Sequence, residues 1–156
     1  MSVLIINNYE EFESYVGKEL GTSEYHQITQ EEINRFAEAT HDHQWIHVDE
    51  ARAARESPFG STIAHGYLSV SLLPYLWYQI IEVRNISMLV NYGIENLRFA
   101  QPVKVNSQVR IVARLKALTN LRGMAKAEVE VVLEIKDSKK PAFKGVIVFL
   151  YHFNQE

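Results

Sequence analysis

HGYLSVSLLPYLWYQIIEV, residues 65–83, is the stretch on which the fold turns. From Tyr67 onward apolar side chains fall on nearly every side of a helix, and a helix without a polar face belongs inside something. It opens at His65-Gly66. Pro74 within it predicts a kink, because the ring removes an amide donor and crowds the carbonyl four residues earlier. What encloses this helix is written downstream, where the period of the apolar pattern changes. Val109, Ile111, Ala113 and Leu115 alternate with Arg110, Arg114 and Lys116, and residues 125–135 alternate equally well against Lys126, Glu128, Glu130 and Glu134. Those are two half-buried strands. The turn Asp137-Ser138-Lys139-Lys140-Pro141 leads into a continuous apolar run, 145–151, suited to a central strand. With shorter candidates at 88–92 and 96–99, the reading is α+β: an antiparallel sheet of about five or six strands wrapped around a central apolar helix.

Working back toward the N-terminus, Thr29-Gln30-Glu31-Glu32 is a capping-box pattern, followed by Ile33, Phe36, Ala37 and Thr40 at helical spacing, so a helix is expected over 30–40. A shorter helix at 9–15, a short strand within 23–28 and one or two helical turns at 51–56, stopped by Ser57-Pro58-Phe59-Gly60, complete the expectation. The 156 residues, 47% of them apolar, suffice for one core, and no repeat or Pro/Gly/Ser-rich linker divides them, so a single domain over 1–156 is expected. The net charge of −3 comes without a basic block, which argues against a nucleic-acid partner. The chain has no cysteine, hence no disulfide, thiolate metal site or thiol nucleophile. Its first residues, MSVLIINNYEEFESY, hold an apolar run too short for a signal peptide or membrane span. A soluble protein of the cytoplasm, with no membrane partner, is the expectation.

The densest group of ionisable side chains is His41, Asp42, His43, Gln44, His47 and Asp49, at the exit of the 30–40 helix. Three readings of it stand side by side. A carboxylate and an imidazole brought together by a turn after the helix can hold one water between them, making Asp42 and His47 a general acid/base pair. Polar residues at a helix C-terminus also satisfy its last carbonyls with no chemistry implied. His41, His43 and His47, completed by Asp42 or Asp49, could ligate zinc, although the spacing matches no defined zinc pattern.

The segment FAEATHDHQWIHVDEARAARESPFGSTIAHGYLSVSLLP resembles the hydratase motif of the MaoC-like, (R)-specific enoyl-CoA hydratases. That motif runs aspartate, one residue, asparagine-proline, one residue, histidine, then later Phe-Gly and Ile-Ala-His-Gly. Asp42 takes the aspartate place and His47 the histidine place, while Phe59-Gly60 and Ile63-Ala64-His65-Gly66 supply the later pieces; Asn96–Val103 is similar to the family's strand approach. Two departures stand out: Gln44-Trp45 replaces asparagine-proline, as in the nodulation protein N-like branch, and His41 replaces the common glycine before the aspartate.

The resemblance implies a hot-dog fold, a homodimer with its sites at an interface, and reversible hydration of trans-2-enoyl thioesters to (R)-3-hydroxyacyl thioesters, carried on coenzyme A or acyl carrier protein. It needs no metal and no cofactor. Asp42 and His47 would activate water, and the Gly66 N–H, at the start of the apolar helix, would polarise the thioester carbonyl. Gln44, Trp45 and Ser71 would lie near the substrate, with Tyr67, Trp77 and Tyr78 as bulky neighbours of its tail. His65 is read as serving local hydrogen bonding at the helix start, outside the chemistry. Two rival functions share the architecture: an acyl-CoA thioesterase, disfavoured because 67–81 has no Asp or Glu, and a non-catalytic acyl-binding module, disfavoured by retention of both Asp42 and His47.

Overall fold

The computed structural model describes residues 2–155. In chain order it contains β1 (Leu4–Ile6), α1 (Tyr9–Glu13), β2 (Glu19–Thr22), β3 (His26–Gln27), α2 (Gln30–Thr40), α3 (Trp45–Val48), α4 (Glu50–Glu56), α5 (Gly66–Ser71), α6 (Leu73–Tyr78), β4 (Ile81–Val83), β5 (Ile86–Phe99), β6 (Gln108–Leu121), β7 (Met124–Ile135) and β8 (Phe143–Phe153). The main sheet runs β2-β6-β7-β8-β5 with every pairing antiparallel and β3 also on β6, while β1 and β4 form a separate parallel pair. The α+β hot-dog expectation is met.

The alternation read in the second half explains the sheet. Val109, Ile111, Ala113 and Leu115 of β6 and Ala125, Ala127, Val129, Val131 and Leu133 of β7 are all buried, on the face that meets the helices. Full burial of a Val, Leu or Ile contributes about 1.5–3 kcal/mol over leaving it exposed. On the other face Arg110 Nε donates to Glu134 Oε1 at 2.9 Å, and Arg114 stands opposite Glu130. Arg122 and Gly123 both have positive φ, 53° and 86°, the left-handed pair that a two-residue hairpin loop between twisted strands requires. The candidates at 88–92 and 96–99 are one strand, β5, interrupted by register shifts, with Asn96 at φ 52°. A bulged strand loses its period, which is why it read as two. β5 ends the sheet, leaving one long edge free.

α2 begins where the capping pattern put it, with the Thr29 hydroxyl accepting from Glu32 N at 3.2 Å. The reciprocal half of the box is not made: the Glu32 carboxylate accepts from His26 Nε2 instead. The central helix departs further from expectation. It is not one kinked helix but two, α5 and α6, joined at Leu72, and Pro74 lies in the first turn of α6, where a missing N–H costs nothing. Leu73, Leu76 and Trp77 are buried on the sheet, and Trp77 Nε1 donates to the Tyr151 hydroxyl at 2.7 Å. The opposite side, Tyr67, Ser71, Tyr75 and Tyr78, is exposed, so within one chain the helix is covered on one side only. No helix among the described residues is long and apolar enough to cross a membrane.

Candidate active site

α2 ends on His41, whose φ of 65° and ψ of 18° place it in the left-handed region, and the chain therefore leaves the helix sharply at Asp42. The next element, α3, is a single turn with Gln44 as its N-terminal cap. That turn swings His47 inward until it is only 7% exposed. His47 Nδ1 lies 2.8 Å from the Ile63 carbonyl. A carbonyl can only accept, so Nδ1 carries the proton and Nε2 keeps a free lone pair. Burial pulls the His47 pKa below the ordinary imidazole range; the Ile63 hydrogen bond and the Asp42 charge oppose the shift, and His65 adds to it. His47 is thus a neutral imidazole with a basic nitrogen free.

The segment that receives it is pinned by its main chain. Ile63 N donates to Ile46 O at 3.0 Å, Ala64 N to Val103 O at 2.8 Å, and Val105 N to Thr62 O at 3.0 Å. Gln30, in the first turn of α2, donates to the His47 carbonyl at 2.8 Å and accepts from the Thr62 hydroxyl. Two residues beyond Ile63, the His65 ring is 3% exposed, stacked on His47 at 4.0 Å and 23° and tilted against Phe36 at 4.9 Å. Its Nε2 donates to the Asp42 carbonyl at 2.9 Å, and its Nδ1 is buried without a hydrogen-bond partner.

These groups open onto one cavity of about 490 Å³, whose walls include Asp42, His47, His65, Gly66, Ser69 and Phe99. Asp42 is exposed, its Oδ1 meeting Gln44 N at 3.4 Å, and no direct hydrogen bond joins its carboxylate to His47. One ligand-capable atom from each of Asp42, His47 and His65 lies within 4.8 Å of the others, a spacing that suits a bridging water. The same three side chains are the one group among the described residues compact enough to be tested as a metal site. Metal–imidazole bonds of about 2.0–2.1 Å lie in the ring plane. Two rings stacked at 23° have planes that do not meet at that reach, so the arrangement fits water better than a chelated ion.

Gly66 begins α5, so its N–H has no helical carbonyl to meet, and the residue lines the cavity at the positive end of the helix dipole. A Cβ placed there would stand 2.8 Å from Phe99 Cζ, so the residue is glycine because the ring lies against it. Asp42, His47 and Gly66 are brought together as the motif implied. Gln44 caps α3 and is exposed, and Trp45 lies under the Arg52 guanidinium at 4.2 Å; neither lines the cavity. Ser71 is exposed, donates to the Tyr67 carbonyl at 2.7 Å and borders a separate cleft of about 260 Å³ against β5 and β8. Ser69, 2% exposed, is the serine that lines the cavity shared by Asp42 and His47. The zinc alternative is not assembled: His41 and His43 stay exposed, and Asp49 caps α4 by accepting from Arg52 N at 3.0 Å. His65 does stand at the helix start, its carbonyl accepting from Leu68 N at 3.0 Å, but its side chain makes no cap bond there: it reaches the Asp42 carbonyl, 23 residues away, and stacks on His47. Its place in Ile-Ala-His-Gly was the signal available.

Comparison with known proteins shows the family. Residues 11–137 match the family model described as MaoC like domain. The chain is 46% identical over 127 residues to 3-hydroxyacyl-thioester dehydratase Z of Mycobacterium tuberculosis, covering 81% of this chain and 83% of that protein. It is 42% identical over 144 residues to nodulation protein N of Rhizobium leguminosarum bv. viciae, covering 90% and 89%. Among solved structures, the (R)-hydratase from A. caviae involved in PHA biosynthesis superposes with a TM-score of 0.66 at 25% identity, covering 86% of this chain and 94% of that one.

Proposed function

The chain belongs to the MaoC-like dehydratase family, and from that premise we propose that it reversibly hydrates trans-2-enoyl thioesters to (R)-3-hydroxyacyl thioesters. The observation that carries the reading is the neutral His47, its Nε2 free, beside a carboxylate and a helix-start glycine in one cavity. In the hydration direction a water lies between Asp42 and His47 and gives a proton to the pair as its oxygen bonds to C3. The electrons of the C2=C3 bond move toward the thioester oxygen, where the Gly66 N–H and the start of α5 meet the developing charge. The proton then returns to C2, so that water is added and nothing is left over. Dehydration is the same path reversed.

The active unit in this reading is a homodimer, with the whole chain acting as one domain around a core continuous from Ile6 to Tyr151. The free edge of β5 exposes Met88, Val90, Tyr92 and Ile94, and the uncovered side of the central helices exposes Tyr67, Tyr75 and Tyr78. A second copy joined at that edge would pair the strand groups and cover the aromatic side chains. Coenzyme A and acyl carrier protein both remain carriers in keeping with the site. A cytoplasmic setting accompanies this reading.

The test is an assay of purified protein with crotonyl-CoA and a longer enoyl-CoA, following enoyl absorbance and free thiol together, with and without a chelator. Loss of absorbance without thiol, unchanged by chelation, is expected. Thiol release would indicate a thioesterase, and no change in either signal a binding module.

A further inference from the structure

We infer that His65 is a positioning residue of the water-activating site, holding the Asp42 main chain through Nε2–H and backing the His47 ring, so that it sets the separation of the two groups. The inference rests on the assignment of Asp42 and His47 made above and extends it to a side chain that touches both but need not touch substrate.

Asp42 has little else to hold it. It sits in the exposed bend between α2 and α3, and among the described residues the one hydrogen bond to its carboxylate is that from Gln44 N at 3.4 Å. The bond from His65 to its carbonyl, 2.9 Å, crosses 23 residues of sequence and anchors that bend to the buried segment before α5. The ring that makes the bond cannot turn: Phe36 packs on it at 4.9 Å and His47 at 4.0 Å. One imidazole therefore registers α2, the Asp42 bend and the α3 turn against one another.

The protonation pattern points the same way. Because the Asp42 carbonyl only accepts, the His65 Nε2 bears a hydrogen, and its Nδ1 is buried with no hydrogen-bond partner. A phenyl ring would pack against Phe36 and His47 without that unmet group, so an imidazole here sacrifices stability for the one hydrogen bond it donates. Breaches of local rules of this kind collect at functional sites.

The experiment compares His65→Phe and His65→Gln, each alone and combined with Asp42→Asn, by steady-state hydration of crotonyl-CoA, with circular dichroism to verify folding. Phe keeps the stacked ring and loses the donor; Gln loses the ring and keeps an N–H at similar reach. His65→Phe should lower kcat about 10- to 100-fold, the scale of a misplaced catalytic group, with KM within about twofold. His65→Gln should recover most of that loss. Combined with Asp42→Asn, His65→Phe should cost less than about twofold more, because the group it positions is already disabled. Equal losses in both backgrounds, or unchanged kcat in His65→Phe, would overturn the inference. Should the Phe protein fail to fold, Gln and Asn make the same comparison, since the Asn amide stops one bond short of Asp42. Wild-type turnover by Asp42→Asn alone would instead refute the underlying site assignment.

Discussion

Replacing Gly66 with alanine separates packing from chemistry at the start of α5. The added Cβ would lie 2.8, 2.9 and 3.1 Å from three ring atoms of Phe99, so the nearest must retreat by about 0.6 Å to reach ordinary contact at 3.4 Å. Phe99 is 49% exposed and free to swing outward, giving up its edge contact with Phe143 at 5.9 Å and its tilted contact with Tyr67 at 6.3 Å. Such overpacking costs about 1–3 kcal/mol of stability, which the remaining core tolerates. The effect on rate should be separate and larger: the methyl crowds the approach of a thioester carbonyl to the Gly66 N–H, and loss of one oxyanion donor costs about 10²–10³ in kcat. A second change, Phe99→Leu, opens the space taken by the ring. In the double variant the melting temperature should return toward wild type while kcat stays low. Crotonyl-CoA hydration and thermal melts of the four proteins decide it. Near-normal kcat in Gly66→Ala, or recovery of kcat together with stability on adding Phe99→Leu, would refute the role of this amide.

Asp42→Asn and His47→Ala should each lower turnover by about two to four orders of magnitude, with the double variant barely worse than the worse single one and His43→Ala far less affected; steady-state kinetics on folded proteins checks this, and hydration by both single variants at the wild-type rate would refute it. The acid limb of the pH–rate profile should fall below the ordinary imidazole value of about 6.5, because His47 must be neutral to act and its pKa is lowered. Stability follows the same sign: the unfolded chain takes up this proton first, so the His47 contribution is full above about 6.5 and is lost as pH falls from there through the folded value, visible in urea titrations. The wild-type protein should scatter light as a dimer at micromolar concentration, and Val90→Glu on the free edge of β5 should give monomer with impaired activity; a monomeric wild type would refute the edge assembly. His41→Gly should raise stability by about 0.5–1 kcal/mol, as relief of left-handed strain exceeds the entropy glycine adds to the unfolded chain, and the urea midpoint should move with an unchanged slope.

How legible each part was depended on whether its cause is local. α2 carries its own start signal in Thr29 and its own period, and β6 and β7 alternate cleanly because one face of each is buried. α3 has only four residues, too few to show a period, so the turn that carries His47 inward could be anticipated only as some turn. Ser69 and Ser71 sit two residues apart on a helix and so point to roughly opposite sides; choosing between them needs the rotation of α5, which the buried Leu68 and the sheet determine. His65 stands out within Ile63-Ala64-His65-Gly66, yet its stack on His47 joins positions 18 apart in sequence and is purely tertiary. The tyrosine stripe misled for a related reason: an all-apolar helix says that it will be covered without saying by which chain.

The ladder that ties Ile46 to Ile63, Ala64 to Val103 and Thr62 to Val105 has a consequence for how this scaffold diversifies. The His47 ring is held to the Ile63 carbonyl through Nδ1 and Gly66 follows three residues later on the same braced ribbon, so the spacing between the proposed base and amide rests on that one hydrogen bond and the main chain. Walls contributed from elsewhere, such as Phe99 and Phe143, can be exchanged without disturbing that spacing. On the proposed function, breadth toward acyl groups can therefore drift by ordinary substitution in those walls while the frame that holds His47 and Gly66 stays constant.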